Sequence, residues 1–379
     1  MVEGTCTDTF APLRDLLEQH LASGDDTGAS LAVVHDGQLV VDLWGGEARA
    51  GEAWTRETIV QVYSVTKVMA ALAFLTLVEA GEIDLDAPVT TYWPDFGAHG
   101  KGDVLVRQVL GHASRVPGWT TPVTVDDILD LDASEALLAA SEPWYTEGHG
   151  YQMIDHGHLL DAIAFGATGR RLADVLRDDV MAPLGCASRG GFHLGVPEES
   201  LADCADLIPP TGSSIDVAAL GMDHPLIRTV VNPLLAPDVV NGEAWRRGAV
   251  GGAGGHGTAR AIARAQAVVS HGGELDGVRL LSPELVERIF EVQADGPDHV
   301  LVVPTRFGIG WALPFEAAPA VPSGRVCWWT GYGGAIVVND LDRRLTLAYA
   351  PARLVDHMVA SPRTDAYVRT TFDCLEALA

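Results

Sequence analysis

Leu13, Leu16, Leu17 and Leu21 recur at helical spacing, which predicts a helix over Phe10 to Ala22. The run Ala29 to His35 then reads as a strand. His35-Asp36-Gly37-Gln38 is a hairpin turn signal, and Leu39 to Trp44 is the return strand. Ser64 to Ala80 is apolar nearly all round, the pattern of a buried helix, and Gly81 stops it. Helical spacing with Pro- and Gly-rich loops continues to about Leu184. Trp144 to Gly150 is one such loop, and Gly157 to Leu184 again reads as helix. Residues 187–257 are rich in Gly, Pro and Asp and predict no regular element. Thr258 to Ser270 is a helix, and Ser282 to Ile289 begins another. Near the end, Val326 to Thr330, Ala335 to Asn339 and Leu345 to Ala350 read as strands. Turn signals at Gly331 to Gly334 and Asp340 to Arg343 separate them. A helix from Thr364 to Leu378 closes the chain.

Strands at both ends with helices between predict an α+β fold. One antiparallel sheet, built from both termini and flanked by helices, would carry a helical insertion. The expected boundaries are residues 1–82 with 185–379 for the sheet domain and 83–184 for the helical domain. No internal repeat and no low-complexity linker interrupts the pattern.

The chain has 379 residues, enough for a large core. Its net charge of -26 would repel nucleic acid and anionic membranes, so neither is an expected partner. Cys6, Cys186, Cys204, Cys327 and Cys374 are scattered, odd in number and without a CxxC pair. They predict free thiols rather than a disulfide framework or a zinc ribbon. The first residues, MVEGTCTDTFAPLRDLLEQHL, lack the basic and apolar regions of a signal peptide, so the expected location is cytoplasmic. No stretch approaches the length of a membrane span.

Ser64-Val65-Thr66-Lys67 opens the buried helix. Residues three apart on a helix are neighbours, so the lysine amine can reach the serine hydroxyl. A hydroxyl is a weak nucleophile until a base takes its proton. A lysine can be that base when burial lowers its pKa. The chain holds only two lysines, Lys67 and Lys101, and one of them falls inside an apolar run.

Val62-Tyr63-Ser64-Val65-Thr66-Lys67, followed by Glu79 to Val89, resembles the serine β-lactamase-like hydrolases, and more narrowly the class C β-lactamases with their family VIII esterase and transacylase relatives. The likeness continues at Val109 to Gly118, Gly148 to Tyr151, Met181 to Gly185, Gly254 to Ala259, Phe307 to Trp311 and Thr330 to Gly334. It implies a β-lactamase/transpeptidase-like fold and places Tyr151 where the family has a tyrosine that shares a proton with the lysine. A nearby ammonium would then lower the phenol's pKa. Met153 stands where β-lactamases have asparagine. Trp329-Thr330-Gly331 stands where the family has Lys/His-Thr-Gly, so the cation that binds a β-lactam carboxylate is replaced by an indole. The same likeness implies an oxyanion hole from the backbone N–H groups of Ser64 and Tyr332.

The candidate catalytic set is therefore Ser64, Lys67 and Tyr151. The candidate substrate-binding set is Trp329, Thr330, Gly331, Trp119 and His256. Trp144, Trp311 and Trp328 are further candidates to line an apolar acyl pocket. The expected activity is that of a serine acyl hydrolase acting on a small ester or amide through an acyl-enzyme. The alternative is a transacylase that passes the acyl group to an amine or alcohol in natural-product biosynthesis. A β-lactamase, a D-amino-acid peptidase and a non-catalytic binding protein are further readings. No metal or organic cofactor is expected. His149, His156 and His158 lack a metal motif, and Gly251 to Gly257 lacks the ending of a phosphate loop.

Overall fold

The computed structural model describes residues 1–212 and 217–377. Six strands make one antiparallel sheet: β1 (Val2–Cys6), β2 (Gly28–His35), β3 (Gln38–Arg49), β4 (Val326–Thr330), β5 (Ile336–Asp340) and β6 (Leu345–Pro351). Their order is β1-β3-β2-β6-β5-β4, and a two-residue strand, Glu52–Ala53, pairs with β3 off this path. The two chain ends meet where β2 pairs with β6, with Val33 opposite Leu347 and Ala32 opposite Ala348. The β2–β3 hairpin closes through Asp36 and Gly37, both at positive φ (46° and 77°), as a two-residue turn requires.

Five longer helices frame the sheet: α1 (Ala11–Ser23), α2 (Val65–Glu79), α3 (His156–Thr168), α4 (Ala259–Ser270) and α5 (Pro362–Glu376). Strand side chains alternate between faces, so Thr346 and Tyr349, three apart on β6, point to opposite sides. Thr346 bonds Ser270 of α4 at 2.8 Å. Tyr349 stacks on Tyr367 of α5 with ring centroids 4.3 Å apart. The sheet is therefore covered on both faces, and every residue of β6 is buried. The closing helix ends at Glu376, and Leu378 lies outside the described residues.

Behind α4 lies α2, in contact with α3, α4 and β4. Twelve of its fifteen residues are buried, which accounts for its lack of a polar stripe. Sequence reading missed β1, whose only buried residue is Val2. Backbone pairing to β3 holds this edge strand, and hydrophobic pattern does not mark it. It also missed order in 187–257. There Phe192–His193 and Val60–Gln61 flank His256–Gly257 in a three-stranded patch directly before Ser64. No helix among the described residues is long and apolar enough to cross a membrane.

Phe74 of α2 is fully buried between these layers. Phe74→Ala is expected to lower stability by about 3–5 kcal/mol, measured by urea unfolding, with the cavity term contributing beside lost burial.

Candidate active site

Ser64 is the N-cap residue of α2. Tyr63 before it has φ +42°, a left-handed conformation that side chains rarely adopt, so the chain turns sharply from the short strand into the helix. This elbow faces the end of β4. A Cβ on Gly331 would lie 2.1 Å from the Val62 carbonyl oxygen and 3.3 Å from the Ser64 nitrogen. Only glycine allows that approach. Past it, Gly334 N–H donates to Gly331 O at 3.0 Å, closing a tight turn with Tyr332 and Gly333 at its centre. Among the described residues, the N–H groups of Ser64 and Tyr332 donate to no acceptor.

Lys67 Nζ lies 3.0 Å from Ser64 Oγ and 2.7 Å from each of the carbonyl oxygens of Met153 and Gly252. A neutral amine has two N–H donors and one lone pair. With both donors directed at carbonyls, the lone pair faces the Ser64 hydroxyl. Burial lowers the Lys67 pKa from 10.5 to about 7, with Asp155 opposing the shift. Gly252 must be glycine to reach the amine, because a Cβ there would meet Ile154 O at 2.1 Å.

Tyr151 lies beside this pair. Its ring centroid is 4.7 Å from Lys67 Nζ, and its hydroxyl hydrogen-bonds Ser64 and accepts from Trp329 Nε1 at 2.7 Å. The expectation of a depressed phenol pKa is overturned. Burial raises it well above 10, outweighing its hydrogen bonds with Ser64 and Trp329. Its backbone N–H donates to buried Asp298 Oδ1 at 3.1 Å. Beneath it, the His112 ring packs 4.6 Å from both Tyr151 and His156. Burial lowers His112 well below 6.5 and His156 to about 3, so both imidazoles are neutral near pH 7. Asp155, bonded by Gln152 at 3.4 Å, is raised by burial to about 7.

Over Ser64 opens a cavity of about 250 Å³, walled chiefly by Met153, Ile154, Val230, Leu234, Leu235 and Met358. No lysine, arginine or histidine is among its described lining residues. A larger depression of about 560 Å³ lies elsewhere, beside the start of α5.

The structure gathers Ser64, Tyr151 and Tyr332 at this cavity, with Lys67 against Ser64 and outside the lining. It places the five expected substrate-binding residues outside the lining. Trp329 is buried and touches Tyr151. Thr330 Oγ1 donates to Ala335 O at 2.9 Å, and Gly331 is backbone packing. Trp119 donates to Ser134 O at 3.2 Å, and His256 Nδ1 bonds Gly254 O at 2.9 Å. Trp311 and Trp328 likewise satisfy their indoles internally, and Trp144 stacks on Arg228 at 3.6 Å. Each ring has an interior partner, so the acyl wall is aliphatic. Tyr145 stacks on His299, away from Ser64. His149 bonds Thr305, and Gly251 packs on Gly157. Sequence reasoning missed Asp155, Asp298, Met358 and the wall from Thr229 to Leu235. That wall lies within the stretch whose composition predicts nothing.

The chain's two lysines are both buried, so a lysine-selective label reports only Lys67 and Lys101. In carbon-13 lysine NMR, the Lys67 signal is expected to titrate near pH 7 and to vanish in Lys67→Met. A midpoint above 9 would contradict the burial argument.

The family model described as Beta-lactamase matches residues 13–370. The chain is 34% identical over 351 residues to the esterase/beta-lactamase LipL of Mycobacterium tuberculosis, covering 88% of this chain and 78% of that protein. It is 31% identical over 207 residues to esterase EstB of Burkholderia gladioli, covering 50% and 53%. Among solved structures, a family VIII carboxylesterase superposes with a TM-score of 0.92 at 30% identity, over 99% of this chain and 100% of the other. A penicillin-binding protein homologue from Caulobacter crescentus gives 0.89 at 29% identity, over 99% and 100%. By sequence over most of its length, and by a fold shared end to end, the chain belongs to the beta-lactamase family.

Proposed function

We propose that this serine acyl hydrolase cleaves small, uncharged carboxylic esters through an acyl-enzyme on Ser64. The observation that carries the reading is the Ser64–Lys67 contact of 3.0 Å, with the amine buried and its pKa at about 7. Neutral Lys67 takes the hydroxyl proton as Ser64 Oγ bonds the carbonyl carbon. The carbonyl π electrons move to oxygen, and the Ser64 and Tyr332 N–H groups receive the negative charge. The C–O bond to the leaving group breaks. The departing alkoxide takes the Tyr151 proton, which Lys67 replaces. Water then repeats the sequence on the acyl-enzyme, giving its proton to the restored base.

Two features favour a neutral ester. Among the described residues, the cavity lining carries no cation to pair with a β-lactam carboxylate. At the position of the family's Lys/His, Trp329 turns its indole N–H to Tyr151. Ester hydrolysis also agrees with the names of two sequence relatives, of which EstB is named an esterase and LipL an esterase/beta-lactamase.

Ser64→Ala is expected to lower kcat for a p-nitrophenyl ester by about 10³-fold or more and to abolish labelling by a fluorophosphonate, read by intact mass. Retained labelling would sink the assignment. Tyr151→Phe is expected to cost about 10²- to 10⁴-fold in kcat, and Trp329→Phe, which loses one hydrogen bond, roughly 2- to 10-fold.

The pH profile follows from the direction of the Lys67 shift. The amine is charged below its folded pKa and cannot accept a proton there. So kcat/KM is expected to rise through about pH 7 to a plateau. A profile flat from pH 5 to 9 would exclude Lys67 as the base.

A further inference from the structure

Outside the catalytic cluster, one buried ion pair reaches into the site. Arg363, at the start of α5, is buried and pairs with Asp26, whose side chain is fully buried, at 2.8 Å. Its guanidinium has four further-reaching donors, and each is used. Nη1 donates to Asp26 Oδ1 and to Asp25 O at 2.6 Å. Nη2 donates to Arg353 O at 2.7 Å and to Gly333 O at 2.9 Å. Gly333 is the centre of the turn that carries the Tyr332 N–H. Its own N–H makes only a 3.5 Å contact with His357 O. Its carbonyl is gripped by Arg363 and by Val355 N–H at 3.1 Å. The guanidinium packs against the next residue too, since a Cβ on Gly334 would lie 2.9 Å from Nη2.

The far side of the pair is equally fixed. Tyr349 OH lies 2.7 Å from both Asp26 oxygens, its one proton shared between them, and Tyr367 OH donates to Oδ2 at 3.4 Å, with His20 bonded to Tyr367 at 3.0 Å. Replacing a buried ion pair by well-packed apolar groups is often neutral for stability or favourable. A charged fork is not needed merely to fill this space, but it suits a task that needs several carbonyls held in one plane.

We propose that Arg363, clamped by Asp26, is a positioning residue that holds the Gly331–Gly334 turn so that the Tyr332 N–H points at the developing oxyanion. The inference rests on the acyl-enzyme reading above. Arg363 touches no substrate and acts through Gly333. Loss of the clamp would let the turn's peptide planes rotate, which weakens the tetrahedral state more than it weakens ester binding.

The experiment compares Arg363→Met and Arg363→Lys with a control, Arg343→Met. Arg343 also pairs with a buried carboxylate, Asp340, at 2.7 Å, on the sheet and outside the site. The readouts are kcat and KM for a p-nitrophenyl ester, the inhibition constant of phenylboronic acid, and Tm. Phenylboronic acid forms a tetrahedral adduct with a reactive serine. Both Arg363 variants are expected to lose about 10- to 100-fold in kcat and a similar factor in boronate affinity, with KM within about 3-fold of the parent. Lysine keeps the charge beside Asp26 but not the planar fork. Arg363→Lys should therefore recover Tm without recovering kcat, and it carries the test where the methionine variant does not fold. Arg343→Met should lose stability and keep kcat.

Parental kcat in folded Arg363→Met would overturn the proposal. So would recovery of kcat together with Tm in Arg363→Lys, or an equal kcat loss in Arg343→Met. Ser64→Ala separates the two levels. Undiminished boronate affinity in that variant would remove the acyl-enzyme reading itself. Lost affinity there, beside parental kcat in Arg363→Met, would remove only the positioning role.

Discussion

An amine withdrawn from water is the constraint around which this site is arranged. Lys67 lies in a helix with no polar face, and among the described residues three oxygen atoms meet its nitrogen. Three acceptors satisfy an ammonium, while two carbonyls and one hydroxyl suit the neutral amine better. The hydroxyl can donate as well as accept, and the carbonyls cannot. Desolvation favours the uncharged form and the carbonyls partly restore the charged one. The balance places the amine near pH 7, where it can take a proton and return it. Tyr151, held protonated by the same burial, suits a donor to the leaving group better than a resting base.

Several remote features exist to supply those oxygens. Met153 follows Tyr151 by two residues, so the segment that places the phenol also places a carbonyl. Gly252 arrives from the glycine-rich loop, whose lack of side chains lets it pack against Ile154 and Gly157. That loop is fixed to α2 by Gly255 N–H on Thr66 Oγ1 at 2.9 Å, and to the elbow by Gln61 Nε2 on Ala253 O at 3.0 Å. What reads from composition as a phosphate cradle is a backbone wedge behind the amine.

Legibility in the sequence followed how local each signal is. Helices α1, α2 and α4 and the five expected strands stand within about five residues of their expected ends, because periodicity and caps such as Thr258 are local, while β1 had no expected counterpart. Ser64 and Lys67 were legible for the same reason, being one turn apart. Tyr151 and Tyr332 emerged only through family likeness, since nothing local ties them to Ser64. The substrate-binding tryptophans misled because an aromatic residue in the sequence does not disclose whether its N–H finds a partner inside. The aliphatic wall was hidden for the opposite reason. It comes from short helical turns in 187–257, where Gly and Pro mask any period. Arg363 was silent because its partners are carbonyls of distant loops.

The exchange of a cation for Trp329 changes more than recognition. A lysine or histidine there would put a second positive charge or a competing acceptor beside Tyr151, and a like charge nearby would push the Lys67 pKa lower still. An indole presents one donor and no titratable group. Its N–H stabilises the phenol oxygen at 2.7 Å while its ring packs on Phe307 at 5.0 Å, so Tyr151 is fixed without adding charge to the cavity. Loss of the anion-binding cation and a Lys67 pKa set by burial rather than by a neighbouring like charge are then two results of one substitution. Both suit a substrate that brings no charge of its own into an aliphatic pocket.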